Sequence, residues 1–118
     1  MENRVRFENK GELIISDEAI STIVALAAKE IEGVASLKHN LPEQLAGLFS
    51  KGGYRKGVKV EGDERGIVLD LQMKVDYGVN VSDLAIKVQE NIKTAIEAMI
   101  DIKVSAVNVH VLGVEVER

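Results

Sequence analysis

From Ile67 to Asp76 the chain alternates without a break. Ile67, Leu69, Leu71, Met73 and Val75 fall on one side, and Val68, Asp70, Gln72, Lys74 and Asp76 on the other. Successive side chains of a strand point to opposite faces, so this segment buries one face and leaves the other mainly in water. Such a strand belongs to a sheet covered on one side only, which sends the helices of the chain to a single face. Val58-Lys59-Val60-Glu61 precedes it across Gly62-Asp63-Glu64-Arg65-Gly66, and the pair reads as a hairpin. Asp63 and Glu64 are then turn residues rather than a paired-carboxylate site.

The covering helices are legible from their spacing. Ile20, Ile23, Val24, Ala27, Ala28 and Ile31 recur at helical intervals, with Ser16 as N-cap and Gly33 as the stop, and predict a helix over 17–32. Asp17 and Glu18 complement the positive end of its dipole. Ala85, Val88, Ile92, Ala95 and Met99, flanked by Leu84 and Ile96, predict a second long helix over about 83–100, capped by Ser82. Ile86 and Ile100 fall off that face by phase, and read either as scattered surface apolars or as an assembly contact. A shorter helix begins at Asn40-Leu41-Pro42, shows Leu41, Leu45, Leu48 and Phe49 as its stripe, and ends by Gly52-Gly53.

Short strands open and close the chain. Glu12 to Ser16 is one, with a further strand through Val5 and Phe7 before it. The last runs from Val104 to Val116, where Val107, Val109 and Val111 share a face opposite Asn108, His110 and Leu112. After Leu112-Gly113 the apolar parity switches to Val114 and Val116, the signature of a β-bulge. The order is β-α-α-β-β-α-β. It predicts an α+β fold, a two-layer α/β sandwich with a mainly antiparallel sheet, two long helices on one face and the other face open. At 118 residues the chain holds one domain, here residues 12–118, preceded by residues 1–11 as an extension or extra strand.

Composition excludes several classes of function. There is no cysteine, so no disulfide framework, thiolate metal site or thiol nucleophile, and a reducing compartment is expected. The N-terminus is charged and resembles no signal peptide, and the longest apolar run, Ile23 to Ala28, falls far short of the ~20 residues of a membrane span. Two histidines, His39 and His110, make no metal-ligand spacing, and no Gly-x-Ser-x-Gly elbow is present. A carboxylate such as Asp70 or Asp76 is expected across the sheet from His110, but a His and an Asp on an open face are usually solvated neighbours. Lys51-Gly52-Gly53-Tyr54-Arg55-Lys56-Gly57 matches no phosphate loop. The net charge is −4, yet Lys51, Arg55, Lys56 and Lys59 cluster without an acid. That basic loop reads as a solvated loop or as a contact for phosphate, anionic lipid or an acidic partner. With few aromatics to stack bases, no specific nucleic-acid partner is expected.

Several segments together resemble the alkaline-shock-protein family, the Gls-like envelope-stress-response proteins of Gram-positive bacteria. They are Ile15-Ser16-Asp17-Glu18-Ala19-Ile20 with Glu30-Ile31-Glu32-Gly33-Val34, Gly57-Val58-Lys59-Val60-Glu61, Val75-Asp76-Tyr77-Gly78, Val88-Gln89-Glu90-Asn91-Ile92-Lys93 and Val107-Asn108-Val109-His110-Val111-Leu112-Gly113-Val114. The resemblance spans about residues 12–116 and departs at Val81-Ser82-Asp83, where the family often has Ile-Pro-Glu. It implies a small cytoplasmic, non-enzymatic protein without cofactors. Some members gather beneath the membrane by binding a membrane-anchored relative and self-assemble, and others are linked to membrane-lipid metabolism.

The resemblance carries no catalytic residues over. The contact surfaces proposed from the sequence are Lys51, Arg55 and Lys56 in the basic loop, Ile86 and Ile100 off the helix core face, Gln89 and Glu90 on the helix solvent side by phase, and Asn108 and His110 on the polar sheet face. The expected partner is another protein, either a membrane-anchored relative or a further copy of the chain. A regulatory binder of a lipid-metabolism enzyme is the alternative, ahead of a nucleic-acid module and of hydrolysis through His110.

Overall fold

The computed structural model describes residues 3–37, 54–63 and 65–116. Strands β1 (Asn3–Phe7) and β2 (Gly11–Ile15) form a separate antiparallel hairpin. Helix α1 (Asp17–Lys29) follows, then β3 (Val34–Leu37), β4 (Val58–Asp63), β5 (Gly66–Asp76), α2 (Val81–Met99) and β6 (Val104–Glu115). The α+β class, the mainly antiparallel sheet and the two long helices on one face are as expected. The short helix expected after Asn40, together with Lys51 and His39, lies outside the described residues.

The alternating segment becomes β5, the centre of the main sheet. β4 pairs antiparallel with its first half, from Val58↔Leu71 to Asp63↔Gly66, and β3 with its second half, from Val34↔Val75 to Leu37↔Met73. Two short strands thus share one edge of β5 end to end. β6 takes the other edge and runs parallel to β5, because α2 carries the chain back across the sheet as a crossover. The β3 strand was not expected. It is four residues long, too short for a periodicity signal.

Ile67, Leu69, Leu71, Met73 and Val75 are all buried, packed under Ile20, Val24 and Ala28 of α1 and Val88, Ile92 and Ile96 of α2. Each such aliphatic side chain is worth roughly 1.5–3 kcal/mol relative to exposure, and this is the cluster that holds the two layers together. Asn91 ties the helices to each other: its Nδ2 donates to the Ala27 carbonyl at 2.7 Å and to Glu30 Oε1 at 3.0 Å.

Helix boundaries differ from the sequence reading for local reasons. Ser16 caps α1 as expected, its Oγ accepting from the Ala19 amide at 3.1 Å. The helix stops at Lys29, however, and Ile31 to Val34 form a turn closed by the Val34 amide donating to the Ile31 carbonyl. Gly33 sits at its third position with φ of +108°, a region glycine enters freely, and a Cβ there would press within 3.2 Å of Leu84 and Val79. α2 is capped by Asn80 rather than Ser82, with Asn80 Oδ1 accepting from the Asp83 amide at 3.0 Å. Asparagine caps at least as well as serine, and the earlier cap adds two residues to the expected start.

Candidate functional site

The open face of the sheet carries the most organised polar surface among the described residues. Three strands contribute in register: Lys59 lies beside Asp70, Asp70 beside Asn108, and Gln72 beside His110. Asp70 is the hub. Its Oδ1 accepts from Asn108 Nδ2 at 3.2 Å and lies 3.1 Å from His110 Nε2. An ionised carboxylate only accepts, so His110 Nε2 is the donor in this contact. Lys59 Nζ lies 3.9 Å from Glu61 Oε1. The carboxylate expected across from His110 is therefore Asp70; Asp76 pairs instead with Glu115 at the end of the strand.

Tyr54 joins this face from the segment before β4. Its phenol is held above the usual range, first by burial, then by the Asp70 carboxylate, with Glu61 adding and a Gln72 hydrogen bond opposing. Gln72 Oε1 is enclosed without a hydrogen-bond partner among the described residues. Sequence reasoning missed Tyr54, since it lies outside any periodic element and only the turn that follows folds it back. That turn is Arg55-Lys56-Gly57-Val58. Arg55 and Val58 exchange backbone hydrogen bonds, and Lys56 and Gly57 take φ of 55° and 78°, the paired positive values of a type I′ turn. It projects Arg55 and Lys56 into solvent at one corner.

The other expected contact residues are dispersed. Gln89 is not a solvent residue: its Nε2 donates to the Val107 carbonyl at 3.0 Å and ties α2 to β6. Asn91 is likewise turned to α1, and only Glu90 of the three is exposed. Ile86 is exposed as expected. Ile100 is 5% exposed and belongs to the core, contrary to the assembly role considered for it. Helical phase fails there because α2 ends at Met99, and Ile100, with φ −136° and ψ 140°, turns its side chain inward. Met99, expected on the core face, is 67% exposed, while Leu84 and Ile96 from the flank are buried in the core.

The open face gathers hydrogen-bond donors and acceptors from three strands. His110 is bonded to a carboxylate, and no cluster of three or more metal-ligating His, Cys, Asp or Glu occurs among the described residues.

A two-layer α+β domain with one helix-covered and one open sheet face is the class that the fold defines. The sequence profile of the alkaline shock protein family Asp-23, described by a cell-envelope-related function, matches residues 6–116, and the chain belongs to that family. Among its relatives is the uncharacterized protein YqhY of Bacillus subtilis, 33% identical over 105 residues, covering 89% of this chain and 78% of that protein. Spy1614 of Streptococcus pyogenes is 33% identical over 115 residues, covering 95% of each. A stress response regulator gls24 homolog of S. pyogenes is 26% identical over 113 residues, covering 92% of this chain and 62% of the regulator. The C-terminal domain of MamM overlays on 87% of this chain with a TM-score of 0.49 and 17% identity, too remote to bear on function. No helix among the described residues is long and apolar enough to cross a membrane.

Proposed function

We propose that this protein is a non-enzymatic interaction or scaffold protein acting in the cell-envelope stress response or in envelope homeostasis. The observation that carries the reading is the open sheet face. Asp70 pre-orders Asn108 and His110 in register across the strands, and Tyr54 is folded down beside them. Pre-ordered side chains lose little rotamer freedom when a partner docks, which favours association at a flat polar surface. Family membership supplies the envelope context. Residence is cytoplasmic, and contact with the membrane comes through a partner.

Affinity capture from membrane and cytosolic extracts tests this. The expected main prey is a membrane-anchored relative of the same family, held by the wild-type protein and released by the Asn108→Ala, His110→Ala double variant. Empty capture from both extracts overturns the reading. The exposed basic corner at Arg55 and Lys56 favours a second reading, in which the prey is a cytosolic lipid-metabolism enzyme and Arg55→Glu with Lys56→Glu abolishes its capture.

A further inference from the structure

β6 is an edge strand of the main sheet: β5 takes one side, and no strand takes the other among the described residues. Side chains of α2 cap the first half of that outer edge. Glu97 Oε2 accepts from the Val104 amide at 3.1 Å, and Gln89 Nε2 donates to the Val107 carbonyl at 3.0 Å. Backbone groups of a strand point alternately to its two sides. The Val107 carbonyl points away from β5 to Gln89, so the amides and carbonyls of Val109 and Val111 point the same way. Among the described residues α2 offers them no such cap.

The two flanks of this uncapped half differ in chemistry. α2 runs back along β6, with Glu97 against Val104 and Gln89 against Val107, so Ile86, one turn before Gln89, falls beside the uncapped half. Ile86 is 51% exposed. Val111 pairs with Met73, Gly113 with Lys74 and Val114 with Val75, so Leu112 is the inserted residue. Val111 and Val114 therefore share the helix side with the buried Met73 and Val75, yet remain 37% and 52% exposed. Without the insertion Val114 would lie with Asn108 and His110. Those two residues form the other flank, exposed, polar and held by Asp70.

An unpaired strand edge is completed by another extended backbone. A helix, a bilayer or a nucleic acid brings no matching row of amides and carbonyls. The unlike flanks then select the side chains of the added strand. Residues turned to the helix side meet Ile86, Val111 and Val114 and are apolar; residues turned to the open face meet Asn108 and His110 and form hydrogen bonds.

We propose that the uncapped half of the β6 edge receives an extended segment of another protein, in which apolar and hydrogen-bonding side chains alternate. The segment pairs with the backbone of Val109 and Val111 and widens the sheet by one strand. The proposal rests on the scaffold reading and states how the partner meets Asn108 and His110: as a strand laid beside them. The contact is short, which puts it among transient interfaces.

The probe is a synthetic peptide of alternating valine and threonine with a lysine at each end, titrated into the wild-type chain and followed by amide hydrogen exchange in NMR. In the dilute free protein the Val109 and Val111 amides are expected to exchange without protection, and saturating peptide to slow both about tenfold. The same peptide N-methylated on alternate residues keeps its side chains, loses its pairing edge and is expected to leave both amides unprotected. Val111→Pro removes an outward amide, keeps the bonds to β5 and is expected to abolish binding, with circular dichroism confirming the fold. Ile86→Lys and Val114→Lys are each expected to weaken binding about tenfold, while Leu26→Lys, at an equally exposed apolar position on α1, leaves it unchanged.

Equal binding of the N-methylated peptide overturns the proposal, because it marks unspecific apolar contact. So does a peptide that protects neither amide up to its solubility limit. Protection of both amides in the dilute free protein overturns it as well, since the edge is then already covered. Protection that grows with protein concentration in the absence of peptide marks a second copy as the occupant and overturns it too. A partner captured from extracts that survives Val111→Pro and is released by the Asn108→Ala, His110→Ala double variant removes the strand contact and leaves the scaffold reading standing.

Discussion

Replacing Ser21 by alanine is expected to stabilise the protein. Ser21 lies on the buried side of α1 at 1% exposure, and its Oγ has no hydrogen-bond partner among the described residues. A buried hydroxyl left unpaired costs about 1–3 kcal/mol of lost hydration, and removing it recovers that penalty. Alanine is also the better helix former, by a few tenths of a kcal/mol. Against this stands the void of one oxygen atom, smaller than a methyl group and costing less than ~1 kcal/mol. The balance is a gain of about 1 kcal/mol, or roughly 4 °C in Tm for a domain of this size. Urea unfolding followed by circular dichroism reads it as a raised midpoint at unchanged slope. An unchanged or lowered midpoint refutes the reasoning, because it means that the hydroxyl is hydrogen-bonded in solution, through a water or a carbonyl of its own helix.

Other perturbations probe the fold and the open face. Gly66 has φ of +146°, and a Cβ there would run into the Lys103 carbonyl oxygen, which accepts from the Ile67 amide at 2.9 Å. Gly66→Ala is therefore expected to lower stability by about 2 kcal/mol or more, read as a fall in the urea midpoint. Asn80→Ala removes the cap of α2 and is expected to cost about 1 kcal/mol in the same assay, with Asn80→Ser recovering most of it. The Tyr54 phenol is raised in the folded state, so it holds its proton to higher pH there than in the unfolded chain. Its contribution is complete below the unfolded value near pH 10 and is lost as pH rises through the folded one. The stability difference between wild type and Tyr54→Phe is thus expected to be level from pH 8 to 9 and to shrink above about pH 10, and parallel curves would refute this placement of Tyr54.

Much of this molecule was legible because its signals are local. The alternation of β5 defined the burial of each of its side chains, and the spacing of α1 and α2 defined which layer they form. Even the bulge near Leu112 showed as a switch of parity. Local patterns fall short at element ends. Ile100 has the phase of an exposed helical residue and is buried, since the backbone leaves the helix one residue before it. The β3 strand acquires its identity from the free edge of β5 rather than from its own four residues.

Of the candidate site, the sequence by itself determined the polar side of β5 and the presence of Asn108 and His110 on the polar side of β6. Alternation decides which face a residue takes without reference to any partner. Only the tertiary structure decided that Asp70 stands between those two residues, because register across strands depends on the crossover length and on the bulges that shift it. It also decided that Gln89 and Asn91 are internal ties rather than contact residues. Helical phase separates inside from outside, but a residue on the flank belongs to whichever neighbour reaches it. Tyr54 shows the same limit: a turn at Lys56 and Gly57 folds it onto strands that lie far along the chain, and its surroundings exist only once those strands have paired.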